Sequence, residues 1–162
     1  MNKKESRMDL TPLLKVSPTD SFKPEIVGLF CQNCVQKDLV LADSIRQLED
    51  TLARFVVLPC SSKVNVRQLV GILEKGIDGV QIIKCPDTDC RFLDGKITAL
   101  NHVEHAHGLL KEIGFSDIRV QLETGNTLTG KELFDLSNTY GRNLRELGPN
   151  PLKKATTQGQ KP

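Results

Sequence analysis

Gly79-Val80-Gln81-Ile82-Ile83-Lys84 runs straight into Cys85, with Cys90 a short loop beyond. The run is β-branched and apolar through its middle, as a strand buried on both faces of a parallel sheet is. One cysteine at the end of one strand says little, because buried cysteine often serves as a small hydrophobe. Two upstream segments end the same way. Ile26-Val27-Gly28-Leu29-Phe30 leads to Cys31 and Cys34, and Phe55-Val56-Val57-Leu58-Pro59 leads to Cys60. If these runs are adjacent parallel strands, all five thiols meet at one edge of one sheet. Such a convergence is what zinc, an iron–sulfur cluster or a dithiol redox centre requires.

The intervening segments carry helical spacing. Leu41, Ile45, Leu48 and Leu52 recur at helical intervals behind Asp38, a candidate N-cap. Val66, Leu69, Val70 and Leu73 follow Asn65 as cap and stop near Gly76. Val103, Ala106, Leu110 and Ile113 form a third stripe, with Gly114 suited to the C′ position. Ile118 to Glu123 alternates and predicts a fourth strand, at an edge. Thr129-Gly130-Lys131-Glu132 reads as a capping box, and behind it lie Leu133, Leu136, Tyr140, Leu144 and Leu147. This alternation predicts a flavodoxin-like α/β domain: a four-stranded parallel sheet with helices on both faces. Ligands of such sheets bind beyond the carboxyl ends of the strands, which is where the cysteines fall.

The α/β domain is expected over residues 25–147. Residues 1–24 are polar with three prolines and read as a flexible arm. The short apolar patch within that arm, Leu10 to Val16, is read as part of a loose tail rather than as a docking element. Residues 148–162 hold three prolines among small polar residues and predict a disordered end.

Composition narrows the function. The chain has 162 residues, 38% hydrophobic and 26% charged, a soluble balance able to bury a full core. A net charge of +2 gives no push toward nucleic acid or membrane. With no Trp and one Tyr there is no aromatic platform for stacking bases. No apolar run approaches the ~20 residues of a membrane span, and no apolar core follows Met1 to Arg7 as in a secretory signal. The expected location is therefore cytoplasmic. Five cysteines in a reducing compartment favour metal or redox chemistry over structural disulfides, and the odd count agrees.

Three chemistries fit the thiols. An iron–sulfur cluster takes four thiolates. Structural zinc also takes four, but on two close pairs; here Cys31 and Cys34 are close, Cys85 and Cys90 are wider apart, and Cys60 stands alone. Ligands spread over three loops resemble a cofactor site more than a zinc knuckle. A thiol–disulfide oxidoreductase would use Cys31-Gln32-Asn33-Cys34 between a strand and a helix, but leaves the other three unexplained. His102, His105 and His107 read as solvated helix surface. Gly125 to Gly130 matches no phosphate-binding fingerprint. The charges of Asp87 and Asp89 would lower the potential of a neighbouring cluster.

Five places in the chain together resemble the methyl-viologen-reducing hydrogenase delta-subunit family, also called hydrogenase iron–sulfur subunits. They are Phe30-Cys31-Gln32-Asn33-Cys34; Val57-Leu58-Pro59-Cys60-Ser61-Ser62-Lys63-Val64; Lys75-Gly76-Ile77-Asp78-Gly79-Val80; Cys85-Pro86-Asp87-Thr88-Asp89-Cys90; and Gly95 with Ala99 at the start of the next helix. The resemblance runs from about Glu25 to about Leu147. Departures are Asn101 and His102, where the family carries basic residues, and Ser62, where it often has glycine. The first bears on docking and the second on the loop beside Cys60. The resemblance implies an electron-transfer subunit with a [2Fe–2S] cluster. It would link a hydrogenase or other donor to the flavin-containing subunit of a heterodisulfide-reductase-type complex. Four of Cys31, Cys34, Cys60, Cys85 and Cys90 would be ligands, with all five lining the site.

Overall fold

The computed structural model describes residues 22–37, 39, 45–87, 90–92 and 94–153. Five strands form one sheet: β1 (Glu25–Cys31), β2 (Ile45–Gln47), β3 (Leu52–Leu58), β4 (Gly79–Lys84) and β5 (Val120–Thr124), in the order β2-β3-β1-β4-β5. The last four of these are mutually parallel, and β2 lies antiparallel on β3. The sheet is therefore mixed and five-stranded, not the four-stranded all-parallel sheet expected. The expected adjacency of the three cysteine-tipped runs holds. Cys31 pairs in register with Leu58 of β3, and Phe30 with Ile83 of β4.

The extra strand arises where the spacing predicts a helix. Ile45 to Gln47 is extended, Leu48 sits in a turn, and Leu52 opens β3; Asp38 and Leu41 lie outside the described residues. The amide of Leu48 donates to the carbonyl of Thr51 at 2.8 Å, closing a tight turn over Glu49 and Asp50. Leu48 is buried all the same, in the core that a helix at this place would have filled. Its burial satisfies the apolar spacing without a helix.

Among the described residues, three helices pack on the sheet, α1 (Val66–Glu74), α2 (Gly95–Glu112) and α3 (Gly130–Leu147), and residues 151–153 are also helical. Side chains alternate across the pleat and so supply two cores. On one face Ile26, Phe30, Phe55 and Ile83 meet Leu133, Tyr140 and Leu144 of α3. On the other, Leu29, Val80 and Ile82 meet Leu69 and Leu73 of α1 and Val103, Ala106 and Leu110 of α2. Helices thus cover both faces. Gln81, fully buried in mid-strand, accepts from the hydroxyl of Ser137 at 2.9 Å and donates to the Leu136 carbonyl, fixing α3 to β4. The caps expected at Asn65 and Thr129 form. Asn65 and Gln68 make a capping box on α1, as do Thr129 and Glu132 on α3. The Thr129 N–H donates to the Glu132 carboxylate and holds it below the usual carboxylate range.

The last parallel strand begins later than its alternation suggests. Asp117–Arg119 form a 3-10 turn, capped by Ser116, before β5 starts at Val120. Within the segment read as a disordered end, residues 148–153 are described and Asn150 is fully buried; residues 154–162 lie outside the description, as do residues 1–21 of the arm.

Gly141 shows how closely α3 approaches the β2–β3 turn. A Cβ there would lie 2.9 Å from Cβ and Cγ2 of buried Thr51. Gly141→Ala sets a helix-propensity gain of about 1 kcal/mol against an overpacking cost of about 1–3 kcal/mol. Thr51 is held by its bond to Leu48, so the cost is expected to win. The urea midpoint of the variant should fall; a rise would show that the turn yields freely.

Candidate metal centre

β1, β3 and β4 deliver their last residues to one place. Cys31 is the final residue of β1, and its Sγ lies 3.3 Å from Sγ of Cys85, which follows β4. Cys60 follows β3 after Pro59 and precedes the 3-10 turn Ser61–Lys63. The Ser62 hydroxyl donates to Cys60 Sγ at 3.1 Å, and the Asn33 amide points at Cys31 Sγ at 3.5 Å. Cys90 lies in the loop before α2 and faces the Phe92 carbonyl at 3.0 Å. Gly95 heads α2. A Cβ at this glycine would stand 2.9 Å from Cys60 Sγ and 3.5 Å from Cys90 Sγ, so both sulfurs rest against the helix start.

Cys31, Cys60, Cys85 and Cys90 line one small cavity of about 10 Å³, together with Asn33, Ser61, Lys84, Arg91 and Phe92. Cys34 is not in that lining. It is fully buried in the α3-side core, and its thiol donates to the Cys31 carbonyl at 2.9 Å. The fold therefore places four of the five thiols on the cavity and the fifth behind it. Burial, with the neighbouring Cys31, pushes the Cys34 thiol up to about 12. Burial, then hydrogen bonding to Cys31, pushes Cys85 up to about 12. Both are neutral near pH 7, and a bound metal would have to displace their protons.

Among the described residues, no three His, Cys, Asp or Glu side chains already surround a single metal position. The Cys31 and Cys85 sulfurs lie 3.3 Å apart, and those of Cys60 and Cys90 both rest against Gly95. The donor set is all sulfur, which suits iron–sulfur clusters, zinc or copper(I) and not a hard cation. The absence of a side chain at Gly95 lets two of those sulfurs pack against the start of α2.

The histidines stand elsewhere. His102 Nδ1 lies 2.7 Å from the Val64 carbonyl and ties α2 to the loop before α1, while His107 Nε2 lies 2.6 Å from the Val120 carbonyl and ties α2 to β5; His105 is exposed. Half-buried His102 and His107 thus depart from the solvated role expected of them, and His105 keeps it. Asp87 pairs with Lys84 at 3.2 Å on the surface, while Asp89 lies outside the described residues. Contacts from Ser62 and Asn33 to the sulfurs emerge only in the fold. For Ser62 the sequence does carry one signal, a hydroxyl two residues beyond a cysteine.

Fold and site together define a small α/β domain that gathers cysteines at the carboxyl end of a mostly parallel sheet. Comparison with known proteins makes this particular. The family model described as methyl-viologen-reducing hydrogenase, delta subunit, matches residues 26–148, and the chain belongs to that family. It is 30% identical over 131 residues to the iron-sulfur subunit of the F420-non-reducing hydrogenase of Archaeoglobus profundus, covering 81% of this chain and 96% of that protein. It is 26% identical over 130 residues to the vhu iron-sulfur subunit of the F420-non-reducing hydrogenase of Methanocaldococcus jannaschii, covering 80% and 97%. The Methanococcus voltae protein of the same name is 25% identical over 132 residues, covering 82% and 98%. Among the described residues no helix is long and apolar enough to cross a membrane.

Proposed function

We propose that this chain is an electron-relay subunit carrying one [2Fe–2S] cluster at the carboxyl edge of its sheet. The observation that supports the reading is that four cysteines, brought in by three strand ends and the loop before α2, line one cavity. A binuclear cluster takes two thiolates on each of two irons. When bound, the group supplies one-electron transfer. The protein's part is to present the sulfurs, exclude water from most of their surface, and direct donors such as the Asn33 amide and Ser62 hydroxyl at them. Such bonds to sulfur tune a potential. The site makes or breaks no substrate bond.

The relatives' names support a setting in a hydrogenase complex. The proposed donor is a hydrogenase or similar subunit, and the proposed acceptor is the flavin-containing subunit of a heterodisulfide-reductase-type complex. The all-thiol site requires a reducing compartment, which fits a cytoplasmic relay. A thioredoxin-like role fits less well. Cys31 and Cys34 are both buried, whereas attack on a substrate disulfide needs an accessible thiolate.

The test is metal and sulfide analysis of protein purified without oxygen. About two iron and two acid-labile sulfide per chain are expected. About one zinc without sulfide would replace the reading with a structural zinc module. Thiols that cycle to a disulfide, with no metal bound, would replace it with dithiol chemistry.

A further inference from the structure

We infer that Cys34 is the one thiol of the five that does not ligate, and that it is a positioning residue whose S–H holds the Cys31 carbonyl. The inference rests on the cluster reading above and deepens it. The spacing of Cys31 and Cys34 is that of a chelating pair, and only the structure separates them.

Three observations carry it. First, the cavity is lined by Cys31, Cys60, Cys85 and Cys90, already the four thiolates a binuclear cluster needs. Second, Cys34 is fully buried; it shares its core cluster with Cys31 and Cys85, but unlike them it does not reach the cavity. Its thiol lies 2.9 Å from the Cys31 carbonyl and 3.6 Å from that of Ile83, so its donor is satisfied by backbone acceptors. Turning the sulfur to the cavity would break these contacts and leave a void in a packed core. Third, the backbone here is pinned. The Cys34 amide donates to the Cys31 carbonyl at 3.0 Å, the Leu128 amide donates to the Cys34 carbonyl at 2.8 Å, and Val35 bridges Leu128. The turn therefore cannot swing Cys34 outward without unpairing the loop that leads into α3. The Cys31 carbonyl accepts from both the amide and the thiol of Cys34. That double anchor fixes the residue whose own sulfur faces Cys85.

The experiment uses the full chain purified without oxygen, with Cys34→Ala, Cys34→Ser, Cys31→Ala, Cys60→Ala, Cys85→Ala and Cys90→Ala. Iron and sulfide per folded chain, the electron paramagnetic resonance spectrum of the reduced protein, and iron release to a chelator are measured. Circular dichroism reports the fold. Both Cys34 variants are expected to keep full iron and the wild-type spectrum, and each of the other four to lose the cluster or change its spectrum. Iron release should be several-fold faster in Cys34→Ala and return toward wild type in Cys34→Ser, which restores a donor to the carbonyl. Loss of iron or an altered spectrum in Cys34→Ser, with one cavity variant unchanged, would overturn the non-ligand assignment. Equal release from the Ala and Ser variants would overturn the positioning role. Wild-type protein without iron or sulfide would instead overturn the cluster reading itself, so the two failures are distinguishable.

Discussion

Gly95→Val is expected to remove the iron from this protein while leaving the chain folded. The glycine heads α2, and a Cβ there would meet Cys60 Sγ at 2.9 Å, Phe92 Cβ at 3.3 Å and Cys90 Sγ at 3.5 Å. Ordinary contact between such atoms is about 3.5–4.0 Å, so even one carbon crowds both sulfurs and a branched side chain fills their space. The consequence differs between the two states of the protein. Without metal, Cys60 is free to rotate away at the cost of its bond from Ser62, about 0.5–1.5 kcal/mol. Replacing the glycine by valine recovers only about a few tenths of a kcal/mol of helix propensity, so the folded apoprotein should lose about 1 kcal/mol at most. With a cluster held by the proposed ligand set, the Cys60 and Cys90 sulfurs would both point inward, and the added side chain would have nowhere to go. On the proposed binuclear reading, iron should fall from about two per chain to near none, with little change in the urea midpoint of the apoprotein. Gly95→Ala should lie between. Full iron in Gly95→Val would mean that Cys60 and Cys90 are not both ligands.

Much of this site is legible in the sequence because its parts sit at strand ends, where local pattern is strongest. β4 spans Gly79–Lys84, as its apolar run predicts, and the caps at Asn65 and Thr129 mark the starts of α1 and α3. Strand adjacency then carries the cysteines together with no further information. Two things are not legible. The spacing of Ile45, Leu48 and Leu52 suits a helix, yet Ile45 enters β2, Leu48 a turn and Leu52 β3. Burial of Leu48 beside a chain reversal satisfies the same spacing, so periodicity over one or two turns cannot distinguish the two. The turn-forming Glu49-Asp50 is the weak contrary signal. The division of labour between Cys31 and Cys34 is hidden for a different reason. It depends on Leu128 and on the α3-side core, both remote in sequence.

The same sheet is tied at its opposite edge by a carboxylate, and this gives the second large effect. Asp78, just before β4, is fully buried. Its Oδ2 accepts from the Glu25 amide at 2.8 Å, its Oδ1 accepts from the Asn150 amide at 2.7 Å, and Lys153 Nζ reaches Oδ2 at 3.2 Å. Arg119 donates to the Asp78 carbonyl, and the Asn150 side chain donates to the carbonyls of Leu73 and Ile77. One side chain thus joins the start of β1, the start of β4 and the segment after α3. Asp78→Ala removes the acceptor of two amides in a region with little water to replace it. Each stranded donor costs about 1–3 kcal/mol, and breaking a buried charged contact costs about 3–5 kcal/mol. The expected loss is about 3–5 kcal/mol in all, since these are two views of one deletion. The lysine is the lesser part. Its side chain is 32% exposed and it also pairs with Glu25 at 3.1 Å, so Lys153→Ala should cost below about 1 kcal/mol. Urea unfolding of the reduced apoprotein measures both. Comparable losses from the two variants would show that the ion pair, not the amides, holds this edge. Iron per folded chain should stay at the wild-type level in either variant, because Asp78 and the thiols occupy opposite ends of the strands.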